Sequence, residues 1–185
     1  ALPLLVVPDT RIGLGRLAAC WRGKFSLPLV ALTGSNGKTS VKEMLASILR
    51  EYCGAAPVLA TEGNLNNDIG VPLMLLKLRE RHRYAVIEMG MNHPGEIAYL
   101  AGLALPSVAL VINAGFAHVG LLGSVEAVAR AKGEIFQGLS AQGTAVINAD
   151  DPFSGLWREL AGERRIVDFG LTRTAAVSAD YRLED

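Results

Sequence analysis

The sequence predicts an α/β fold in which a mostly parallel sheet is flanked by helices. Two observations carry this prediction. Short apolar runs recur along the 185 residues, and helix-length amphipathic stretches separate them. The apolar runs are continuous rather than alternating, which is typical of parallel strands that are covered on both faces. We therefore predict strands at residues 28–33, 84–89, 107–112, 144–147 and 165–169.

Apolar spacing near 3.6 residues predicts the helices between these strands. One helix covers 38–51, a second covers 124–139, and a third begins near Pro94, a residue that suits the first helical position. Residues 120–123 are predicted to form a loop. The apolar stripe of the first helix consists of Val41, Leu45, Ile48 and Leu49.

Charge and composition exclude several classes of partner. Eighteen basic residues balance eighteen acidic ones, so no global field would attract nucleic acid or an anionic membrane. No segment approaches the roughly 20 apolar residues of a membrane-spanning helix. Cys20 and Cys53 lie in no C-x-x-C pair and are predicted to be reduced thiols. We expect a small-molecule partner, and any anion must be bound by a local arrangement of residues rather than by the net charge of the protein.

A glycine-rich segment follows the first predicted strand directly and leads into the helix at 38–51. The segment consists of Gly34, Ser35, Asn36, Gly37, Lys38, Thr39 and Ser40. A strand, a glycine-rich loop and a helix in this order are what a mononucleotide-binding P-loop requires. The glycines let backbone amides turn towards phosphate oxygens, and the helix N-terminus adds partial positive charge. We expect Lys38 to reach the terminal phosphates of ATP and the Thr39 hydroxyl to hold Mg²⁺.

One position departs from the widespread phosphate-loop pattern. That pattern has a glycine five positions before the Gly-Lys pair, where this chain has Leu32. The segment is therefore predicted to be a shorter variant of the loop. The alternative is a glycine-rich turn that begins a helix and leaves Lys38 in solvent, which requires strand, glycines, lysine and hydroxyl to coincide by chance.

Polar residues close two of the other predicted strands, at the edge where ligands of open α/β sheets bind. Glu88 interrupts an apolar run, where a carboxylate is costly to bury without a cation, and it could hold Mg²⁺. The alternative is a solvated glutamate at the end of a strand. Asn113 and His118 follow the next strand, and His118 could bind a metal or a phosphate, although most histidines are partly exposed polar residues.

Two further segments have no unique interpretation from their residues alone. Lys132 lies on a predicted helix, where the default is a solvated lysine opposite Glu126 or Glu134. The segment 61–70 contains three asparagines and one aspartate within five positions, which suits a binding site and an ordinary turn equally well.

Taken together, these segments resemble the Mur ligase family of peptidoglycan synthesis. The resemblance covers nearly the whole chain and rests on five motifs in the same order, at 33–40, 63–72, 88–97, 113–118 and 131–135. The residues of the second and third motifs resemble those of the family members that add D-alanyl-D-alanine rather than a single amino acid. Other Mur ligases and the folylpolyglutamate synthetases, which share the phosphate loop and the chemistry, stay open as alternatives.

The resemblance implies a reaction and residues that perform it. ATP would phosphorylate the carboxylate of a UDP-linked muramoyl tripeptide, and the amine of D-Ala-D-Ala would attack the acyl phosphate. Catalytic roles are implied for Lys38, Lys132 and His118. The implied Mg²⁺ ligands are Thr39, Glu88, His118 and Lys132, the last as a carbamate formed with CO₂.

The resemblance also implies binding roles for the remaining polar residues. ATP would contact the loop from Gly34 to Ser40, and Asn148 would lie near the adenine. The muramoyl substrate would approach Thr61, Asn64, Asn66 and Asn67.

Members of this family have three domains, which gives an expectation for the organisation of the chain. Residues 1–26 are expected to be a connector from an N-terminal UDP-binding domain, and 27–185 a truncated central ATP-binding domain, with the C-terminal domain absent. We therefore expect this piece alone to bind nucleotide weakly and not to ligate. The whole enzyme is expected to be a cytoplasmic monomer, without nucleic-acid partners or membrane insertion.

Two interpretations from other classes compete with a ligase. The first is a non-catalytic nucleotide-binding module that signals by conformational change. Glu88, His118 and Lys132 favour the ligase, because a switch protein would need switch loops and no carbamate lysine. The second is a structural α/β domain with a fortuitous loop.

Overall fold

Six parallel strands form one sheet in the part of the chain that the structure describes, which confirms the predicted α/β fold. The computed structural model of the protein describes residues 4–54, 57–117 and 119–179. The strands are β1 (Leu29–Thr33), β2 (Val58–Ala60), β3 (Tyr84–Glu88), β4 (Val108–Val111), β5 (Thr144–Asn148) and β6 (Arg165–Phe169), and their spatial order is β2-β3-β1-β4-β5-β6. The helices are α1 (Thr10–Arg22), α2 (Lys38–Cys53), α3 (Gly70–Leu76), α4 (Glu96–Ala104), α5 (Val119–Leu122), α6 (Val125–Gly133) and α7 (Ser154–Ala161), with a 3₁₀ helix at Glu134–Gly138.

The helices cover the two faces of the sheet unequally. The larger hydrophobic core lies between one face and the helices α1, α3, α4, α6 and α7, together with the 3₁₀ helix. The smaller core lies on the other face, where α2 packs over Leu32, Val86 and Ile112. Within the described part of the chain, α2 is the only helix that contributes to this second core. Leu32, which replaces the expected glycine, is thus a buried strand residue rather than part of the phosphate loop.

Several predicted boundaries are wrong, and packing explains the differences. Ile48, predicted on the buried stripe of α2, is 63% exposed because the helix meets the sheet through Val41, Leu45 and Leu49. The helix predicted over 124–139 ends at Gly133 and continues as the 3₁₀ helix. Gly138 there approaches the backbone of α4 so closely that a Cβ would meet the Ala101 carbonyl oxygen at 2.6 Å. Part of the predicted loop at 120–123 belongs to the single-turn helix α5.

The segment before β1 is packed onto the sheet domain. The Asp9 carboxylate accepts hydrogen bonds from the amides of Arg11 and Ile12 and so begins α1. This helix contacts α3 and α4, and Ala18 is completely buried between them. The Arg22 guanidinium donates to the carbonyl oxygen of Ala104 at the end of α4. The expected connection of this segment to a preceding domain stays a prediction.

The position of β1 defines where a ligand can bind. β1 lies between β3 and β4, and the chain leaves β1 towards β2 and β3 before it crosses to β4. In open parallel sheets, the crevice at such a reversal of strand order is the usual ligand site. Thr33 lies opposite Val111 at the end of β4, and Leu32 lies opposite Glu88 at the end of β3. The loops that follow these residues therefore meet at one edge of the sheet.

None of the helices within the described residues has the length and hydrophobicity that crossing a membrane requires.

Candidate nucleotide-binding and catalytic site

The phosphate loop ends in a helix N-terminus that no side chain caps. Gly37 has a φ of 78°, the left-handed conformation that favours glycine, and it is the N-cap of α2. Among the residues that the structure describes, no side chain caps the first turn of this helix. Its backbone amides therefore have no partner within the helix and carry the positive end of the helix dipole. This arrangement suits an anion such as the phosphates of a nucleotide.

Asn113, just beyond β4, holds the loop in its shape. Its side-chain oxygen accepts hydrogen bonds from the amides of Ser35 and Asn36, both at 3.0 Å, and its side-chain nitrogen donates to the Asn36 carbonyl oxygen at 3.2 Å. The Ser35 hydroxyl in turn accepts from the Gly115 amide at 2.8 Å. Two amides at the start of the loop are thus occupied by protein, and the amides at the start of α2 are left to bind phosphate.

Lys38 lies over the loop in this structure. Its ammonium donates to the carbonyl oxygen of Gly34 at 2.9 Å and to that of Ser35 at 3.5 Å. The alternative in which Lys38 extends into solvent is therefore wrong, because the side chain is half-buried and points back over the loop. A phosphate bound at the start of α2 would compete with these carbonyl groups for the ammonium.

Glu88 is brought to the phosphate loop by the pairing of β3 with β1. Its side chain is only 2% exposed. One carboxylate oxygen accepts from the Thr39 hydroxyl at 3.1 Å, and the other accepts from the Asn66 side-chain amide at 2.9 Å. The alternative of a solvated glutamate at the end of a strand is therefore wrong. The distance of 3.1 Å between the Thr39 hydroxyl and the Glu88 carboxylate oxygen would also let both groups bind one metal ion.

The chemistry of Glu88 and Thr39 fits Mg²⁺ bound together with a nucleotide. A carboxylate and a hydroxyl are hard oxygen ligands, and Mg²⁺ commonly uses one or two such groups together with substrate phosphates and waters. No cluster of three or more histidine, cysteine, aspartate or glutamate side chains suitable for a metal occurs in the described ranges. His118, the predicted additional ligand, lies outside the described residues.

A polar cleft of about 250 Å³ adjoins the loop on the β3 side. Its lining includes three of the four predicted substrate residues, Asn64, Asn66 and Asn67, together with Lys38. The side-chain oxygen of Asn67 accepts from the Gly70 amide at 2.8 Å and so begins α3. The cleft is also lined by Gly90, Met91, Asn92 and Glu96, which the sequence places in a motif but to which it assigns no role.

Thr61 lies beneath this cleft rather than in its lining. The side chain is 2% exposed, and its hydroxyl accepts from the Glu88 amide at 2.9 Å. Lys42, which sequence reasoning did not select, donates to the Thr61 carbonyl oxygen at 2.7 Å. This placement favours a supporting role for Thr61 over direct contact with a substrate.

Lys132 is buried, which is contrary to the default interpretation of its helix. Glu126 pairs with Arg130 at 3.0 Å, and Glu134 accepts from the Gly95 amide before α4, so neither carboxylate faces Lys132. Burial lowers the pKa of Lys132 from 10.5 to about 8, and the charge of Lys38 contributes to the same shift. The positive charge of Lys38 therefore adds to the effect of burial in disfavouring the charged form of Lys132.

Asn148 ends β5, next to β4. Its side-chain nitrogen donates to the Ile112 carbonyl oxygen at 3.0 Å, and its side-chain oxygen accepts from the Asp150 amide at 3.0 Å. The residue therefore stabilises the strand ends beside the site. Its predicted proximity to adenine stays a prediction.

A larger cleft, of about 620 Å³, lies at the opposite end of the strands. Trp21, Lys24 and Arg79 are among its lining residues. The Arg79 guanidinium is already committed, since it donates to the carbonyl oxygens of Leu76 and Leu78. None of the predicted site residues within the described ranges lines this cleft.

These features define the class of protein. The fold is that of α/β domains which bind nucleotides through a phosphate loop, here in a short form with an acidic residue at the end of the neighbouring strand. Comparison with known families gives a match between residues 32–185 and the Mur ligase middle domain. The chain belongs to this family, and the predicted resemblance is confirmed.

Individual relatives agree with this assignment. Over 91% of its length the chain is 52% identical to the UDP-N-acetylmuramoyl-tripeptide–D-alanyl-D-alanine ligase of Escherichia coli (strain K12), of which it covers 36%. A crystal structure of MurF from Acinetobacter baumannii is similar, with a TM-score of 0.86 and 47% identity, over 91% of this chain and 38% of that one. MurF from Thermotoga maritima in complex with ADP gives a TM-score of 0.80 and 35% identity, over 90% of this chain and 38% of that one. The chain thus spans little more than a third of these relatives.

Proposed function

We propose that this chain is the nucleotide-binding part of an ATP-dependent ligase that joins D-alanyl-D-alanine to UDP-N-acetylmuramoyl-tripeptide. The observation that carries the proposal is the contact between Glu88 and Thr39, because it places a buried carboxylate at the first turn of the phosphate-loop helix. Relatives at 52% and 51% identity bear the name of this ligase, which favours it over folylpolyglutamate synthetases and the other Mur ligases.

The proposed reaction proceeds in two steps, phosphoryl transfer and then amide-bond formation. A carboxylate oxygen of the tripeptide attacks the γ-phosphorus of ATP, the bond to the β-phosphate breaks, and an acyl phosphate and ADP are formed. The amine of the dipeptide then attacks the acyl carbon and gives a tetrahedral intermediate. Loss of a proton from nitrogen and of inorganic phosphate from carbon leaves the new peptide bond. The protein contributes orientation and electrostatic stabilisation rather than a nucleophile.

The phosphate loop would perform most of the ATP binding. The amides at the start of α2 would hold phosphate oxygens, and Lys38 would exchange its contacts with Gly34 and Ser35 for the terminal phosphates. Thr39 and Glu88 would hold Mg²⁺, which offsets the negative charge that the nucleotide brings. Asn148 would lie next to the adenine of the bound ATP.

The remaining predicted residues would act on the other side of the loop. Asn64, Asn66 and Asn67 line the cleft that adjoins Lys38, where the muramoyl substrate would bind. Thr61 would help to hold Glu88 in place, because its hydroxyl accepts a hydrogen bond from the Glu88 amide. His118 is proposed as a further metal ligand on the family resemblance alone.

We also propose that Lys132 carries a carbamate in the active enzyme. Its lowered pKa of about 8 raises the fraction of neutral amine near neutral pH. The neutral amine would attack the carbon of CO₂, and loss of a proton from nitrogen would give an anionic carbamate. A buried cation that disfavours Mg²⁺ would thereby become an anion that attracts it.

A reconstituted full-length ligase containing this chain provides the main test. Phosphate release would be measured with ATP, UDP-muramoyl tripeptide and D-Ala-D-Ala, for the wild type and for Lys132→Ala with and without added short carboxylates. We expect release that requires the dipeptide, loss of activity in Lys132→Ala and partial rescue by the carboxylates. Release that is independent of the dipeptide, or full activity of Lys132→Ala, would contradict the mechanism.

A calorimetric titration of the present chain separates the alternatives. We expect weak binding of ATP that strengthens with Mg²⁺ in the wild type and does not strengthen in Glu88→Gln. Glu163→Gln, at an exposed position away from the loop, is the matched control. Absence of heat with ATP and Mg²⁺ would favour a structural domain. The cytoplasmic location, the monomeric state and the absence of nucleic-acid partners stay predictions.

A further inference from the structure

Lys42 is an almost completely buried cation that the proposed chemistry does not use. It lies on α2, one turn after Lys38, and it is 1% exposed. Burial of an ammonium group is costly unless strong hydrogen bonds replace its water. Its position beside the site raises the question of what these bonds hold in place.

Within the described ranges, two hydrogen bonds connect the Lys42 ammonium to its surroundings. The ammonium donates to the Thr61 carbonyl oxygen at 2.7 Å and to a carboxylate oxygen of Glu43 at 2.7 Å. The Glu43 side chain is mostly exposed, so solvent weakens that ion pair. The contact with Thr61 is buried and charge-assisted, and it is therefore the stronger constraint.

Thr61 transmits this constraint to Glu88. The Thr61 amide donates to the Val86 carbonyl oxygen at 3.0 Å, and its hydroxyl accepts from the Glu88 amide at 2.9 Å. Thr61 is thus attached to both ends of a short stretch of β3, and Lys42 fixes it from the helix side. The same residue begins the segment that carries Asn66, whose amide donates to the Glu88 carboxylate.

We propose that Lys42 is a positioning residue for the metal-bound nucleotide, which acts through Thr61 to hold Glu88 beside Thr39. The helix that presents the phosphate loop and the strand that presents Glu88 are thereby joined through Thr61 by two buried hydrogen bonds, in addition to the direct contact between Thr39 and Glu88. The inference rests on the proposed function, because it concerns the same Mg²⁺ and ATP.

The first test needs no ligand. Amide hydrogen exchange of the present chain would be followed by NMR for the wild type, Lys42→Met and Lys42→Gln. Methionine removes the charge at similar length, and glutamine is too short to reach Thr61. We expect the Glu88 amide to exchange roughly 10-fold faster in both variants, because local opening there becomes easier. Amides of β5 serve as the internal reference for global unfolding.

The second test measures the effect on the metal. At a fixed ATP concentration, Lys42→Met is expected to weaken the apparent Mg²⁺ affinity by about 10-fold, as loss of a supporting partner of a metal ligand typically does. Binding of ATP in EDTA should not change. In a Glu88→Gln background, Lys42→Met should have no further effect on the response to Mg²⁺, because the residue through which it acts is already disabled.

Lys77→Met is the matched control, since it removes an exposed lysine that pairs with Glu62, the neighbour of Thr61. It should change neither measurement. Unchanged Glu88 exchange and Mg²⁺ affinity in folded Lys42 variants would overturn the inference, and so would unfolding of both variants, which would make Lys42 a folding residue. A wild-type chain that binds no ATP refutes the proposed function instead, and the exchange measurement still decides whether Lys42 holds Glu88.

Discussion

The burial of Lys132 moves the titration of this lysine to a lower pH in the folded chain than in the unfolded chain. The pKa of this lysine is about 8 in the folded state and 10.5 in the absence of burial. Between these values the unfolded chain binds more protons, so the free energy of unfolding rises as the pH rises from 8 to 10.5. Below pH 8 both states are protonated, and the penalty for the buried charge is fully present. Its size is on the order of 3 kcal/mol.

Lys132→Met should therefore stabilise the nucleotide-free chain near neutral pH. We expect a gain of roughly 1–3 kcal/mol at pH 7, because the buried charge is replaced by an apolar side chain of similar length. The gain should shrink as the pH approaches 10.5. Urea denaturation at several pH values, in EDTA and in buffer freed of CO₂, measures it. A gain that does not depend on pH between 8 and 10.5 would contradict the assigned cause.

Asn113 offers a second prediction, because its side chain supplies both an acceptor and a donor to the phosphate loop. Asn113→Ala should destabilise the chain by about 0.5–1.5 kcal/mol, since the Asn36 amide loses its partner while the Ser35 amide keeps the backbone carbonyl oxygen of residue 113. Asn113→Asp keeps the acceptor but adds a negative charge next to the phosphate site. We expect it to preserve more stability than alanine and to weaken ATP binding more. Urea denaturation and ATP titration of both variants provide the comparison.

Among the elements, the turn from β1 into α2 is where backbone conformation limits the sequence. At Gly37 a Cβ would meet nothing within 4 Å, so strain at its φ of 78° is the only obstacle to a side chain. Gly37→Ala should cost about 1–2 kcal/mol and should weaken ATP binding. Gly102→Ala, in open space within α4, is the matched control and should stabilise by about 0.5–1 kcal/mol. Equal effects of the two substitutions in thermal denaturation would show that the conformation of Gly37 is not strained.

The elements also show why part of the structure follows from local sequence. Each predicted apolar run matches one strand of the sheet to within one residue at either end. Glu88 and the phosphate loop are predictable because their signals lie at the ends of such runs. β2 was missed because it has three residues, and α3 because polar residues precede it. Lys42 contacts Thr61, which is 19 positions away in the sequence, and Asn113 contacts Asn36, which is 77 positions away. No local sequence pattern contains contacts at such separations.

At the scale of the whole molecule, Asp150, which follows β5, forms hydrogen bonds with residues 171–173 near the end of the described chain. Its carboxylate accepts from the amides of Leu171, Thr172 and Arg173 and from the Thr172 hydroxyl. These hydrogen bonds, that from Leu171 first, lower the pKa of Asp150 from 3.8 to about 2. The folded-state pKa is the lower one, so the stabilisation is present above pH 3.8 and is lost as the pH falls towards 2.

Asp150→Asn should therefore destabilise the chain at pH 7, and its difference from the wild type should shrink between pH 4 and pH 2. Urea midpoints across this range measure the effect. Glu163→Gln, at an exposed carboxylate, is the control and should follow the wild type. A difference that stays constant down to pH 2 would mean that the amides do not depend on the charge of Asp150.

The unequal covering of the sheet has a consequence for the lifetime of the protein in a cell. α2 is the only helix packed on its face within the described residues, and its outer surface exposes Met44, Ile48 and Tyr52. Detachment of this one helix would open the smaller core while the larger core stays intact, so it should cost less free energy than global unfolding. Proteases that cleave open states could attack the detached segment. A nucleotide that binds at the N-terminus of α2 only while this helix is docked would make the detachment less favourable and would therefore slow such cleavage.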